Sequence, residues 1–121
     1  MAQVRYLVSD VDAAVQFYVD LLGFAVKQRM GPPFAMVSRG DLTLWLSGPR
    51  SSAARPMPDG RQPAPGGWNR LVVEMDDIAA TVTALKSKGV QFRNEILTGV
   101  GGKQIVLDDP SGNPVELFQP T

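Results

Sequence analysis

The 121-residue chain contains no histidine and no cysteine. Without cysteine there is no disulfide framework, no thiolate nucleophile and no cysteine metal site, an absence that suits a reducing compartment. Without histidine the commonest general base and metal ligand are gone, together with every Ser-His or Cys-His triad. Excess charge is missing too, since 12 basic residues balance 12 acidic ones. A neutral chain lacks the basic face that nucleic acid selects and the charge that docks a protein electrostatically on a membrane. No apolar run is long enough to span a bilayer, and Met1-Ala2-Gln3-Val4-Arg5 passes into a strand-like pattern with no signal sequence. The expectation is a cytoplasmic protein with no nucleic-acid and no membrane partner.

What is present suits one globular domain: 44% apolar residues and 20% charged. The organisation is a repeat. Val4-Arg5-Tyr6-Leu7-Val8 and Leu71-Val72-Val73-Glu74-Met75 are short β-rich runs, each followed by an aspartate suited to cap a helix, Asp10 and Asp77. Val11, Ala14, Val15, Tyr18, Leu21 and Leu22 form one apolar stripe at helical spacing, ended by Gly23. Ile78, Val82 and Leu85 repeat the stripe more sparsely before Gly89. Phe24-Ala25-Val26 and Val90-Gln91-Phe92 resume extended structure in this reading. Phe34–Val37 then parallels Lys103–Val106, and Asp41–Leu46 parallels Asn113–Phe118. The predicted fold is therefore α+β, two tandem βαβββ modules at residues 1–49 and 67–121.

Residues 50–66 lie between the modules with four prolines and no apolar periodicity. They read as an irregular connector, in preference to a mobile flap carrying Arg55, Met57 and Arg61. Two further segments are decoys. Gly99-Val100-Gly101-Gly102-Lys103 lacks the spacing and the Ser or Thr of a phosphate loop and leads into a strand. Lys86-Ser87-Lys88 is a solvated helix end, where cations suit the helix dipole.

Three segments carry a family resemblance: Ser9-Asp10 through Phe17-Tyr18, Leu21-Leu22-Gly23-Phe24, and Asp109-Pro110-Ser111-Gly112-Asn113-Pro114-Val115-Glu116-Leu117. With the duplication, nearly the whole chain resembles the vicinal oxygen chelate superfamily of glyoxalase I, extradiol dioxygenases, and fosfomycin- and bleomycin-resistance proteins. The resemblance implies paired modules whose strands form an incomplete barrel, or cup, in chains that are often dimeric. It also implies, in the metal enzymes, a divalent ion held on the first and last strands of each module by His, Glu or Gln. Carried over by position, those sites are Gln3, Leu44, Arg70 and Glu116. Only Glu116 is a good ligand. Leu44 has no lone pair, and an Arg70 guanidinium a few ångströms from a divalent cation would be repelled by several kcal/mol even at an effective dielectric of roughly 20. No metal and no other cofactor is expected.

Strand alternation places Gln3, Arg5 and Leu7 inside the cup from the first module, and Arg70, Val72 and Glu74 from the second. Leu42, Leu44 and Leu46, then Glu116 and Phe118, are expected to join them from the last strands. Phe34 and Trp68 are candidates for an aromatic rim, whereas the parity of Trp45 points it to the helix side. Arg5 has two readings, a fork for a ligand carboxylate or phenolate and a side chain reaching solvent at the rim. Glu116 also has two, a general base and one half of an ion pair with Arg70 that leaves it a poor base. The ion pair is favoured.

The leading expectation is a non-catalytic protein that sequesters a small neutral or anionic ligand, aromatic ones included, in a part-apolar cup. Bleomycin, a cation, suits a neutral chain poorly. One alternative is a metal-independent lyase or isomerase with Glu116 as base and Arg5 or Arg70 stabilising an oxyanion. Another is a structural or regulatory partner with a vestigial cup. The resemblance further implies a homodimer.

Overall fold

The structure, a computed structural model, describes residues 2–121. The chain divides into two compact units, one ending at Gly66 and one spanning Gly67–Thr121. The first contains β1 (Val4–Leu7), α1 (Val11–Leu22), β2 (Ala25–Arg29), β3 (Phe34–Arg39) and β4 (Leu42–Ser47), then a 3-10 turn at Ser52–Ala54. The second contains β5 (Leu71–Glu74), α2 (Ile78–Ser87), β6 (Leu97–Thr98), β7 (Gly102–Asp108) and β8 (Pro114–Pro120). The strand orders are β1-β4-β3-β2 and β5-β8-β7-β6. In each sheet the first and last strands pair in parallel and the other neighbours are antiparallel. The outer strands do not pair with each other, so each sheet is open. This is the α+β fold expected, one βαβββ unit formed twice.

Both helices start on the aspartates anticipated. The Asp10 carboxylate accepts from the Ala13 amide at 3.1 Å, and the Asp77 carboxylate accepts from the Ala80 amide at 3.0 Å. Each satisfies an amide that the first turn leaves unpaired. Gly23 ends α1 at φ 76°, a left-handed conformation that glycine adopts without a side-chain clash. The α1 stripe of Val11, Ala14, Val15, Tyr18 and Leu22 is buried, as are Ala35, Val37, Leu44 and Leu46 on β3 and β4. In the second unit Ile78, Val82 and Leu85 are buried, as are Leu71, Val73, Ile105, Leu107, Val115 and Leu117. Burying each large aliphatic side chain is worth about 2 kcal/mol.

The second module departs from its expected pattern at one point. Val90–Phe92 is not a strand but a single bridge, Phe92 to Leu107. The short β6 at Leu97–Thr98 takes the edge position instead. Between them Asn94 accepts the Val106 amide on its side-chain oxygen at 2.9 Å, so a side chain does what a ladder carbonyl would otherwise do.

The Asp109–Asn113 turn explains the most specific sequence segment. Asp109 Oδ1 accepts from the amides of Ser111 (2.8 Å) and Asn113 (2.9 Å), and Oδ2 accepts from Asn113 Nδ2 (3.1 Å). Asp109 and Asn113 are each only 4% exposed. The motif thus builds the β7–β8 hairpin and sets the register of β8. Asp109→Ala strands these donors and should lower unfolding free energy by about 2–4 kcal/mol, whereas Asp109→Asn, which keeps an acceptor oxygen, should cost less than half of that. Urea unfolding of the two variants measures the difference; equal losses would contradict this role.

Candidate functional site

Strand pairing decides which side chains share the sheet face opposite the helix. In the second unit Val72 pairs with Glu116, and Glu74 with Phe118. Val106 and Gln104 sit opposite the same two residues on β7. Arg70, just before β5, joins this face: its Nε lies 3.0 Å from Glu116 Oε1, and Nη2 lies 3.0 Å from the same oxygen. The two side chains are 28% and 10% exposed. Both guanidinium donors converge on Oε1, and among the described residues Oε2 receives no protein donor. The ion pair anticipated between Arg70 and Glu116 is formed.

The first unit corrects one expectation. Arg5 pairs with Trp45, and Tyr6 with Leu46. Leu44 is fully buried, in line with Val4 and Val37 on the helix-packed face. Leu44 is therefore a core residue and not a ligand-facing one, and Leu42 and Leu46 share its parity. The opposite face of β4 presents Thr43, Trp45 and Ser47, so the helix-side assignment of Trp45 is overturned as well. The cause is a one-residue register error between the modules. Val4 and Leu71 begin equivalent strands, and their partners are Leu44 and Val115. The residue equivalent to Glu116 is consequently Trp45. Because side chains alternate with period 2, one slip exchanges the two faces completely.

Arg5, Trp45, Phe34 and Ser47 form a connected group on this face. The Arg5 guanidinium lies 4.8 Å from the Trp45 ring centroid and donates from Nη1 to Ser47 Oγ at 3.1 Å. Phe34 meets the indole edge-to-face at 5.7 Å between centroids. Beside them a cleft of about 380 Å³ is lined by Arg5, Met30, Pro33, Phe34 and the 50–52 segment. Sequence reasoning missed Arg50 because it assigned residues 50–66 to a connector, yet the side chain borders this cleft. Trp45 Nε1 is buried without an acceptor.

The other candidates are dispersed. Gln3 is exposed ahead of β1, and Glu74 is exposed on β5. Trp68 is 71% exposed, with the Arg93 guanidinium 4.6 Å from its ring centroid. Arg93, also missed, is a structural hub. It donates to Asp108 Oδ1 (2.6 Å), Gly67 O (2.8 Å) and Gly112 O (3.1 Å). Its partners lie 15, 26 and 19 residues away along the chain, so nothing local in the sequence reveals it. Phe118 is half-buried beside the glycine turn between β6 and β7, its ring tip 3.7 Å from where a Gly101 Cβ would stand.

With the register corrected, the four positions at which the resemblance puts metal donors carry Gln3, Trp45, Arg70 and Glu116. An indole N–H only donates and a guanidinium is a fixed cation. Among the described residues no group of three His, Cys, Asp or Glu side chains is gathered as a metal site. These residues do not fit a resident divalent ion, which needs several oxygen, nitrogen or sulfur donors. Among the described residues no helix is long and apolar enough to cross a membrane.

Two open βαβββ sheets, each with polar and aromatic side chains on the face opposite its helix, define a small α+β architecture built from one unit used twice. The chain matches the Glyoxalase/Bleomycin resistance protein/Dioxygenase superfamily over residues 1–117 and belongs to it. The probable chloroplastic lactoylglutathione lyase of Arabidopsis thaliana is 26% identical over 98% of this chain, which spans only 35% of that relative's length. TnmS3, an antibiotic binding protein from Streptomyces sp. CB03234, has a TM-score of 0.72 at 26% identity, covering 100% of this chain and 98% of its own. Lactoylglutathione lyase from Agrobacterium tumefaciens has a TM-score of 0.76 at 22% identity, covering 98% and 92% respectively, a likeness of fold alone.

Trp45→Phe retains a ring beneath Arg5 and removes a buried donor that has no acceptor. Thermal unfolding should show the variant equal to the parent, or more stable by up to about 1 kcal/mol. A loss above that would mean that the indole N–H is satisfied.

Proposed function

We propose that this protein binds and sequesters a small neutral or anionic organic molecule without a metal and without turning it over. The observation that carries this reading is the Arg70–Glu116 ion pair, in which a guanidinium engages the one good ligand among the four positions. Sequestration needs shape, apolar area and a few polar anchors, and the first unit's cleft offers all three. Its volume also argues against a vestigial scaffold filled by its own side chains. TnmS3, named for antibiotic binding, supports the reading by its likeness over the full chain. The proposal includes a cytoplasmic homodimer, carried by the resemblance.

The observation that Glu116 Oε2 receives no protein donor among the described residues favours a second reading, a lyase or isomerase in which this oxygen takes a proton from an acidic C–H. The two separate in one experiment. A thermal-shift screen of small aromatic and carboxylic metabolites is run with and without EDTA, and hits are followed for turnover. The binding reading expects EDTA-insensitive stabilisation, about 2.7 kcal/mol at a ligand concentration of one hundred times Kd, with the ligand recovered unchanged. Turnover lost in Glu116→Gln, with affinity retained, would establish the enzyme instead. Stoichiometric metal that the same substitution releases would overturn both readings.

A further inference from the structure

Within the first unit, the cleft beside Phe34 holds two arginines that the fold does not neutralise. Among the described residues Arg50 makes no hydrogen bond, ion pair or ring contact, and Arg5 gives one of its five N–H groups to Ser47 and rests on Trp45. Among the described residues no acidic side chain lines this cleft. Arg50 also borders a neighbouring cleft containing Asp10 and Asp12, but both carboxylates are engaged elsewhere. Asp10 caps α1, and Asp12 pairs with Arg29. Two cations in a cleft whose remaining wall is Met30, Pro33 and Phe34 describe a complementary guest with an anionic end and a flat apolar body. A guanidinium fork matches a carboxylate by two parallel hydrogen bonds, and an aromatic ring and a thioether both suit a planar ring system.

We propose that the cleft formed by Arg5, Arg50, Phe34 and Met30 selects a planar aromatic carboxylate. This deepens the binding reading above and rests on it, but names a ligand class and four residues. The anion lies between the guanidinium groups, where the hydroxyls of Ser51 and Ser52 border the cleft, and the ring packs on Phe34. Arg50 sits just before the 3-10 turn at Ser52–Ala54, so the segment after β4 supplies half of the recognition. Sequence alone gave Arg5 a possible carboxylate but no second cation.

The probe is 2-naphthoate, titrated calorimetrically against the full chain beside 2-naphthamide, its neutral isostere. Naphthoate should bind at least tenfold tighter than the amide, and its affinity should fall as salt rises. Arg50→Gln should weaken naphthoate about tenfold while leaving Tm unchanged, because among the described residues the side chain has no hydrogen bond or ion pair to lose. Arg61→Gln removes the same charge from an exposed Asp59 pair and should leave affinity unaltered. Equal affinity for acid and amide, or naphthoate binding indifferent to Arg50→Gln, overturns the proposal. If naphthoate fails while a neutral compound from the thermal-shift screen binds, this inference falls and the binding function stands; if no compound in that screen binds, both fall.

Discussion

Parallel pairing of the first and last strands, Val4 to Leu44 and Leu71 to Val115, is the constraint on which each unit depends. A parallel pair cannot be joined by a tight turn, so α1 or α2 and two further strands must intervene. The same pairing sorts every side chain of the sheet. One parity packs under the helix as Val, Leu and Ile, and the other is left for chemistry. Because a single slip would exchange the two sets, register carries the difference between core and site. Asp109 supports it in the second unit, holding the hairpin that aligns Pro114 opposite Asp108. Gly102 supports it at the far end of β7, where any Cβ would stand 2.1 Å from the Gln119 carbonyl oxygen.

The fold was largely legible because its signals are local. The aspartate caps, the 3.6-residue stripe of α1 and Gly23 each specify an element from a few neighbouring residues, and the duplication supplied the order. The second edge strand was misplaced because Val90–Phe92 has the β propensity of a strand, while its pairing is replaced by Asn94 and Arg93, whose partners lie at Val106, Asp108 and Gly112. Such long-range bonds leave no periodic trace.

The sheet face opposite the helix was legible in only one unit. The alternation of β5 and β8 could be read correctly because the Asp109 turn fixes where β8 begins. The turn before β4 is a tight one at Gly40, with no equivalent side-chain anchor, and the alignment slipped there by one residue. Leu44 was consequently placed with the ligand and Trp45 with the core. The leucines at 42, 44 and 46 disguise the mistake, since an apolar face reads equally well as a cup lining or as a helix-packed layer. Arg50 escaped because a proline-rich, aperiodic segment gives no parity to read.

Once the register is set right, the two units differ in how they treat their cations. In the second, Arg70 is spent on Glu116, whose carboxylate neutralises it. In the first, the position equivalent to Glu116 is Trp45, which accepts Arg5 on its ring face without cancelling its charge. Cation–π contact of this kind is worth about 1 kcal/mol at an exposed site and leaves the guanidinium's N–H edge free for hydrogen bonding. A duplicated strand thus holds a carboxylate in one copy and an indole in the other, and that exchange separates a self-satisfied ion pair from a positioned, still-charged arginine. The proposed anion preference of the first unit rests on that difference: the aromatic ring orients the arginine, and among the described residues no acid pairs with it.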